Sequence, residues 1–146
     1  MSRLKVELLG EAEGGTAKLI RLAAKTAFSA FDYGFDGQVT ITITDDEDIR
    51  TYNRDYRQVD RSTDVLSFPL NDFCRGKPRE PLEELLDPVT GLVPLGDMIL
   101  SLEHARAQAA EYGHGLAREC AYLTVHSILH LLGYDHVDEG EEKKKM

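Results

Sequence analysis

Alternating apolar and polar residues predict strands in two parts of the chain. These are residues 3–9 and 38–44, in which every second side chain is apolar. The apolar members are Leu4, Val6 and Leu8 in the first segment and Val39, Ile41 and Ile43 in the second. Short apolar runs predict two further strands, at residues 64–68, which Pro69 ends, and at residues 97–102.

Helical spacing of polar and apolar residues predicts four helices, at residues 16–30, 46–56, 103–112 and 116–132. Thr16 is the expected cap of the first helix. The expected buried stripe of that helix is Leu19, Leu22, Ala23, Ala27 and Ala30. The last helix is apolar nearly all round, so we expect it in the middle of the fold. Residues 70–94 hold four of the five prolines and predict a long loop with a helical turn at 82–86.

The length of 146 residues fits a single domain spanning residues 1–146. The formal charge of −9 argues against bulk adhesion to nucleic acid or to an anionic membrane. Residues 50–79 have the opposite sign of net charge, with seven basic and four acidic side chains. This excess indicates either a cationic face or a solvated loop of mixed charge. We find no membrane span and no signal-peptide core, and therefore expect a cytoplasmic protein with no membrane partner, in which Cys74 and Cys120 are reduced thiols.

Three histidines carry the candidate chemistry. His126 and His130 are four residues apart on the last predicted helix, so their rings project about 40° apart and one turn along. Gly133 can take the left-handed conformation that ends a helix, after which the chain delivers His136. Three imidazoles leave one open position on a tetrahedral Zn²⁺, the arrangement of a catalytic site with one ion per chain. The alternative is that these histidines are satisfied core residues.

The spacing H-x-x-x-H-x-x-G-x-x-H is also that of the metzincin proteases. Those proteases have a glutamate directly after the first histidine, where it serves as general base. This chain has Ser127 at that position. Peptide hydrolysis by the metzincin route is therefore not expected.

Four motifs in this sequence resemble the YbeY family of bacterial endoribonucleases, which act in rRNA maturation. They are HSILHLLGYDH at residues 126–136, TDVLSFP at 63–69, NRDYR at 53–57 and LGD at 95–97. The resemblance implies an α/β (α+β) fold, in which a four-stranded mixed sheet packs on helices around a central buried metal-bearing helix. It also implies a zinc ion and a single-stranded rRNA precursor as substrate. The implied role is at the 16S 3′ end and in ribosome quality control. The implied partners are a small-subunit ribosomal protein and a maturation GTPase. One departure is Ser127, where the family usually has glycine, and its hydroxymethyl group is expected to crowd the substrate if that glycine allows close approach.

Arg57 matches the family's arginine in the NRDYR stretch, and a guanidinium suits the charge that develops on phosphate during cleavage. The alternative is a helix-end residue paired with a carboxylate, and Arg54 and Arg61 are weaker candidates. Asp135 either orients a ligand histidine or caps a turn. His114 is either a proton carrier or a plain helix-start residue.

Three further side chains have weaker expectations. Asp64 and Asp97 are expected to make structural hydrogen bonds. Cys120 faces about 120° away from His126 and is excluded as a ligand. The general base stays unassigned, because a metal hydroxide needs none and the ribose 2′-OH is an alternative nucleophile.

Two competing functions follow from the same residues. A metzincin-like metalloprotease is disfavoured by the missing glutamate. A non-catalytic ribosome-assembly factor with a structural metal is disfavoured by the open coordination position, because structural zinc normally has four protein ligands.

Overall fold

A four-stranded mixed sheet organises the computed structural model, which describes residues 2–30 and 34–134. Its described elements in chain order are β1 (Leu4–Leu9), α1 (Thr16–Ser29), β2 (Gly37–Thr44), α2 (Asp46–Arg57), β3 (Val65–Pro69), β4 (Phe73–Cys74), β5 (Lys77–Pro78), α3 (Leu82–Leu85), β6 (Val93–Ser101), α4 (Leu102–Tyr112) and α5 (Leu116–Leu131). The sheet order is β1-β2-β6-β3. The first three strands are parallel and β3 runs antiparallel to β6, so the expected four-stranded mixed sheet is confirmed.

The two faces of this sheet have different coverings. Strand β2 alternates buried and half-buried residues, with Val39, Ile41 and Ile43 facing the main core. Helices α1 and α5 pack against each other and, with α4, enclose that core. The opposite face carries a smaller cluster of Ile99, Leu66 and Ile49, the last contributed by α2. Edge strand β3 therefore has one side towards α5 and the other towards α2.

Helix α5 buries one side only. Six residues of its buried stripe are Cys120, Leu123, Thr124, Ser127, Ile128 and Leu131. Tyr122 is 61% exposed and Val125 is 36% exposed, so the expected position of α5 in the middle of the fold is correct only for its buried side. One flank of α5 stays open, and this flank carries the candidate histidines.

The expected stripe of α1 is wrong in part. Leu22 is 58% exposed, whereas Ile20, Ala24 and Phe28 are fully buried. The buried set repeats with i, i+3, i+4 spacing from Ile20, and Leu22 lies about 200° away from Ile20 on the helix. Thr16 is the first helical residue rather than the cap, which is Gly15.

Strand β6 begins four residues before its predicted start. Val93 and Leu95 are fully buried, and Val93 pairs with Gly37 of β2. Pro94 is tolerated there because the register with β2 shifts between Gln38 and Val39, and such irregularities are where a strand accepts proline. Within the predicted loop, α3 confirms the helical turn, and the two-stranded sheet of β4 and β5 was not predicted.

Two further expectations can be compared with the described residues. Cys74 and Cys120 are both free thiols, as predicted. In residues 2–30 and 34–134, no helix is long and apolar enough to cross a bilayer.

Candidate functional site

A cleft of about 530 Å³ opens between the exposed flank of α5, strand β3 and the end of α2. His126 and His130 line it from α5, one helical turn apart, and both are partly exposed. The ring of Tyr122, one turn earlier, stacks on His126 with centroids 6.3 Å apart. The structure therefore brings two of the three predicted ligands to one wall of one cleft.

Helix α5 ends in a two-bond turn that fixes where the chain goes next. The amide of Gly133 donates to the carbonyl of His130 and that of Tyr134 donates to Leu129, both at 3.0 Å. Gly133 has φ +82°, and this pairing is the Schellman motif, so the predicted left-handed glycine is confirmed. A Cβ at Gly133 would lie 2.0 Å from the carbonyl oxygen of Phe73, so only glycine fits against this strand.

The segment around β4 and β5 holds this turn in place. The amide of Gly76 donates to the carbonyl of Leu132 at 2.8 Å, and the amide of Arg75 donates to that of Gly133 at 3.3 Å. His136 and Asp135 lie outside the described residues, so the third ligand and its neighbour stay predictions. Among the described residues, no set of three His, Cys, Asp or Glu side chains could hold a metal. What these residues supply is two imidazole donors, which suit Zn²⁺ and require a third ligand from elsewhere.

Arg57 reaches the same cleft from the last turn of α2. The helix ends at Gln58, which takes the left-handed conformation with φ 57°. The buried Asn53 then holds the following loop through a bond from its Nδ2 to the carbonyl of Arg61 at 3.0 Å. In the described part of the chain, no carboxylate forms an ion pair with Arg57, which is exposed.

The other two arginine candidates are placed differently. Arg54 lies 3.2 Å from the carboxylate of Asp55 and Arg61 does not line the cleft. Of the seven basic residues at 50–79, three are in ion pairs with acids of the same span: Arg50 with Asp60, Arg54 with Asp55 and Arg79 with Asp72. Because each of these pairs joins a base and an acid of the span, they leave its net charge of +3 unchanged.

Ser127 does not face the cleft. It is fully buried, and its Oγ lies 2.6 Å from Oγ of Ser67 on β3. This hydrogen bond fastens α5 to the edge strand. The expected crowding of substrate by the hydroxymethyl group is therefore wrong in this structure, because the side chain points into the helix–sheet contact.

A buried carboxylate in the cleft was not predicted from the sequence. Glu119 lines the cleft, is only 3% exposed, and has its Oε1 2.6 Å from Nε2 of His114. His114 is therefore hydrogen-bonded to a carboxylate of the cleft, and its role as a proton carrier stays a prediction. The available signal was spacing: Glu119 precedes His126 by seven residues, which places both within about 20° on one helix face.

Asp64 and Asp97, the aspartates of the two strand motifs, differ in position and in hydrogen bonding. Asp64 accepts hydrogen bonds from the amide of Val65 at 2.7 Å and from the Gln108 amide at 3.3 Å, as expected for a structural role. Asp97 lies on the opposite face of the sheet and lines a separate groove with Tyr56 and Phe68. Burial raises the pKa of the Asp97 carboxyl above its usual value. Among the described residues its side chain makes no hydrogen bond, so the expectation of a structural hydrogen bond is wrong there.

Burial also separates Cys120 from the site chemistry. The thiol is fully buried in the main core, and burial, with the nearby charge of Glu119, raises the pKa of Cys120 to about 11. A protonated thiol in the core is a poor metal ligand. Its exclusion as a ligand therefore agrees with the structure.

Comparison with known proteins places this geometry in a family. The family model described as Endoribonuclease YbeY matches residues 10–146. Proteins named Endoribonuclease YbeY are similar to this chain in Caldicellulosiruptor bescii (48% identity over 73% of this chain and 65% of that protein) and in Desulfitobacterium hafniense (45% over 94% and 78%). The chain thus spans just under two thirds of the former relative.

A solved structure has the same fold. The solution structure of TM1509 from Thermotoga maritima matches with a TM-score of 0.56 and 25% identity, over 90% of this chain and 74% of that one. The family model covers nearly the whole chain, and the Desulfitobacterium protein aligns over most of both sequences. This chain therefore belongs to the Endoribonuclease YbeY family.

Proposed function

We propose that this protein is a metal-dependent endoribonuclease that cuts single-stranded precursor rRNA, at the 16S 3′ end and in ribosome quality control. The observation that carries the proposal is that His126, His130 and Arg57 line one cleft. They come from two separate elements, α5 and α2, yet open onto the same space. A metal-binding wall facing a guanidinium is an arrangement suited to a phosphodiester.

The proposed metal is one Zn²⁺ held by His126, His130 and His136. When bound, the metal supplies Lewis-acid chemistry and lowers the pKa of water. The protein contributes the placement of two imidazoles one turn apart on a helix that is packed against β3 through Ser127. The turn at Gly133 sends the chain onwards from a fixed point, three residues before His136.

Arg57 is the proposed phosphate-binding group. Its planar guanidinium donates paired hydrogen bonds to phosphate oxygens, which a single ammonium cannot do. The absence of an ion-paired carboxylate among the described residues leaves these donors for substrate. An unpaired RNA strand can bend its backbone into such a cleft, whereas a paired A-form helix resists bending.

The charge distribution supports presentation of the RNA by other molecules. The chain has a net charge of −9, and three of the seven basic residues at 50–79 are ion-paired with acids of that span. Few phosphate contacts are left, and a log–log salt slope of about −2 to −3 is expected, from roughly −0.7 per phosphate neutralised. We therefore propose that a small-subunit ribosomal protein and a maturation GTPase present the substrate in the cytoplasm.

The metalloprotease alternative gains no support from the structure. Position 127, where the metzincins have their general base, is buried and hydrogen-bonded to Ser67. A side chain with that orientation does not face a substrate in the cleft.

Replacing Arg57 tests the proposal. We expect Arg57→Ala to keep its fold and its metal but to lose RNA cleavage by a factor of about 10² to 10³, the cost of removing a preorganised transition-state donor. Arg57→Lys should recover little. Arg54→Ala, one turn of chain earlier and already paired with Asp55, is the matched control and should cleave normally.

The assay compares free precursor rRNA with the same RNA in ribosomal particles. His130→Ala serves as the blank for contaminating ribonuclease, because it should neither bind zinc nor cut RNA. Normal cleavage by Arg57→Ala would contradict the assignment of Arg57. Cleavage of peptides but of neither RNA would replace the proposal with the protease alternative.

A further inference from the structure

The cleft has a second end, distinct from the histidine pair. At this end Glu119 lines the floor and the rings of Tyr112 and Tyr122 lie at the rim, 64% and 61% exposed. Glu119 and His126 are seven residues apart on one helix face, which separates them by about 10.5 Å along the axis. That separation is comparable to one nucleotide measured from its phosphate to the far edge of its base.

A carboxylate is an unexpected group in a cleft for a polyanion. It repels phosphate, and it attracts only hydrogen-bond donors. An ionised carboxylate has about four lone-pair sites, of which His114 occupies one, by donating from Nε2 to Oε1 at 2.6 Å. Such a buried carboxylate gains from further donors on its open side, since an unsatisfied buried charge is costly.

Unpaired nucleotides carry donors of this kind on their base edges. Guanine presents two adjacent donors, the ring N1–H and the exocyclic N2 amino group, and these match the two oxygens of one carboxylate. Adenine and cytosine place an acceptor nitrogen beside their amino group, and uracil flanks its single N–H with two carbonyl oxygens. A carboxylate therefore favours guanine and is repelled by the acceptors of the other three bases.

The tyrosines complete a base-binding arrangement. Bases stack on aromatic side chains in proteins that bind single strands, with little dependence on base identity. Tyr122 already stacks on His126, so its ring is held in a defined orientation beside the cleft. Tyr112 lies 6.0 Å, centroid to centroid, from the ring of His114, which in turn holds Glu119.

From these contacts we infer that Glu119, positioned by His114, forms a subsite for an unpaired guanine, whose ring stacks on Tyr122. The inference rests on the proposed nuclease function, because it names the nucleotide next to the phosphate at Arg57. In this arrangement Arg57 binds a phosphate of the RNA and Glu119 binds the edge of a neighbouring base.

Binding of mononucleotides tests the subsite without any cleavage. Guanosine, inosine and adenosine 5′-monophosphates are titrated into the zinc-loaded protein and followed by NMR shifts of the tyrosine rings. A paired carboxylate contact discriminates between bases by about tenfold or more, so guanosine monophosphate should bind at least that much tighter than adenosine monophosphate. Inosine monophosphate, which lacks the N2 amino group, should fall between them.

Protein variants assign the effect to the residues. Glu119→Gln should reduce the guanine preference to near unity, because the amide presents one acceptor and one donor. Tyr122→Ala should weaken all three nucleotides by a similar factor and keep their order. Glu111→Gln, an exposed acidic residue of α4 that does not line the cleft, is the matched control and should bind as the parent does.

Equal affinity for the three nucleotides, or an unchanged preference in Glu119→Gln, would overturn the subsite. The inosine comparison alters only the ligand, so it decides the matter even if Glu119→Gln does not fold. His130→Ala should lose cleavage and keep the guanine preference. If the parent protein prefers guanosine monophosphate but cleaves no RNA, the subsite stands and the nuclease proposal fails. If it cleaves RNA but shows no preference among the nucleotides, the nuclease proposal stands and the subsite fails.

Discussion

Gly133 ends α5, the helix that carries the proposed metal ligands His126 and His130, and it fixes where the chain leaves that helix. It ends α5 with φ +82°, and the space where a side chain would begin is filled by the backbone of Phe73. Gly133→Ala therefore has two separate consequences. The alanine takes a left-handed conformation, and its Cβ meets the Phe73 carbonyl oxygen at 2.0 Å, so the backbone must move.

Another glycine that ends a helix among the described residues allows the cost of the left-handed conformation to be separated from the cost of the contact with Phe73. Gly113 ends α4 with φ +72° and the same pair of bonds, from Gly113 to Ala110 and from His114 to Ala109. No atom lies within 4 Å of a Cβ built there. Gly113→Ala therefore measures the left-handed conformation alone, about 1 kcal/mol.

Gly133→Ala adds the cost of separating the helix end from the β4–β5 segment. That movement weakens the bonds from Arg75 and Gly76 to the carbonyls of Gly133 and Leu132, which are worth about 1 kcal/mol each. We expect a loss of about 3 kcal/mol in the free energy of unfolding for Gly133→Ala, and of about 1 kcal/mol for Gly113→Ala.

Urea unfolding followed by circular dichroism measures both variants, and zinc titration measures the consequence for the site. Gly133→Ala should also bind Zn²⁺ more weakly, because the chain towards His136 leaves α5 in a new direction, whereas Gly113→Ala should bind normally. Equal destabilisation of the two variants would refute the argument that close packing, rather than backbone conformation, fixes this glycine.

Three smaller predictions concern the core and the opposite face of the sheet. Ser127→Ala should lose about 1 kcal/mol, and Ser67→Ala should add little to it, because both remove the same hydrogen bond; urea unfolding of the two single variants and the double variant tests this. Cys74 should react with a thiol reagent in the native protein and Cys120 only after unfolding, since Cys120 is fully buried with a pKa of about 11. Burial raises the pKa of the Asp97 carboxyl in the folded protein, so its charge destabilises the fold. This destabilisation is absent below pH 3.8, where the carboxyl is protonated in both states, and it grows as the pH rises through the pKa of the folded state. Asp97→Asn should therefore raise Tm at pH 7 and leave it unchanged at pH 3.

Elements with a strong local pattern could be predicted from the sequence. The alternation of apolar and polar residues at 38–44 predicts β2 to within one residue of its observed start. The acidic start and basic end of residues 46–56 predict α2 to within one residue of its observed end. Gly133 was predicted as the end of α5 from its type and position. These features depend on local periodicity or on backbone conformation, which a single sequence contains.

Features that depend on contacts distant in sequence could not be predicted in this way. Leu22 is apolar and exposed, and only the packing of α1 on α5 shows that its buried stripe begins at Ile20. The proline content of residues 70–94 predicts a loop at Pro94, whereas the shifted register with β2 accommodates this proline inside β6. The direction of Ser127 depends on its partner Ser67, sixty residues earlier.

Ser127 and the two proposed ligands, His126 and His130, face different parts of the structure. Residues 126 and 130 face the cleft, and position 127 lies about 100° round the helix from His126, which turns it towards β3. A small residue is needed there because edge strand β3 lies close, and serine meets that need while adding one hydrogen bond. The general base of the metzincins cannot be accommodated at this buried position without an unpaired charge against β3. Glu119, one of two carboxylates that line the cleft, lies about 10.5 Å along α5 from His126, which is too far for it to take the place of that base.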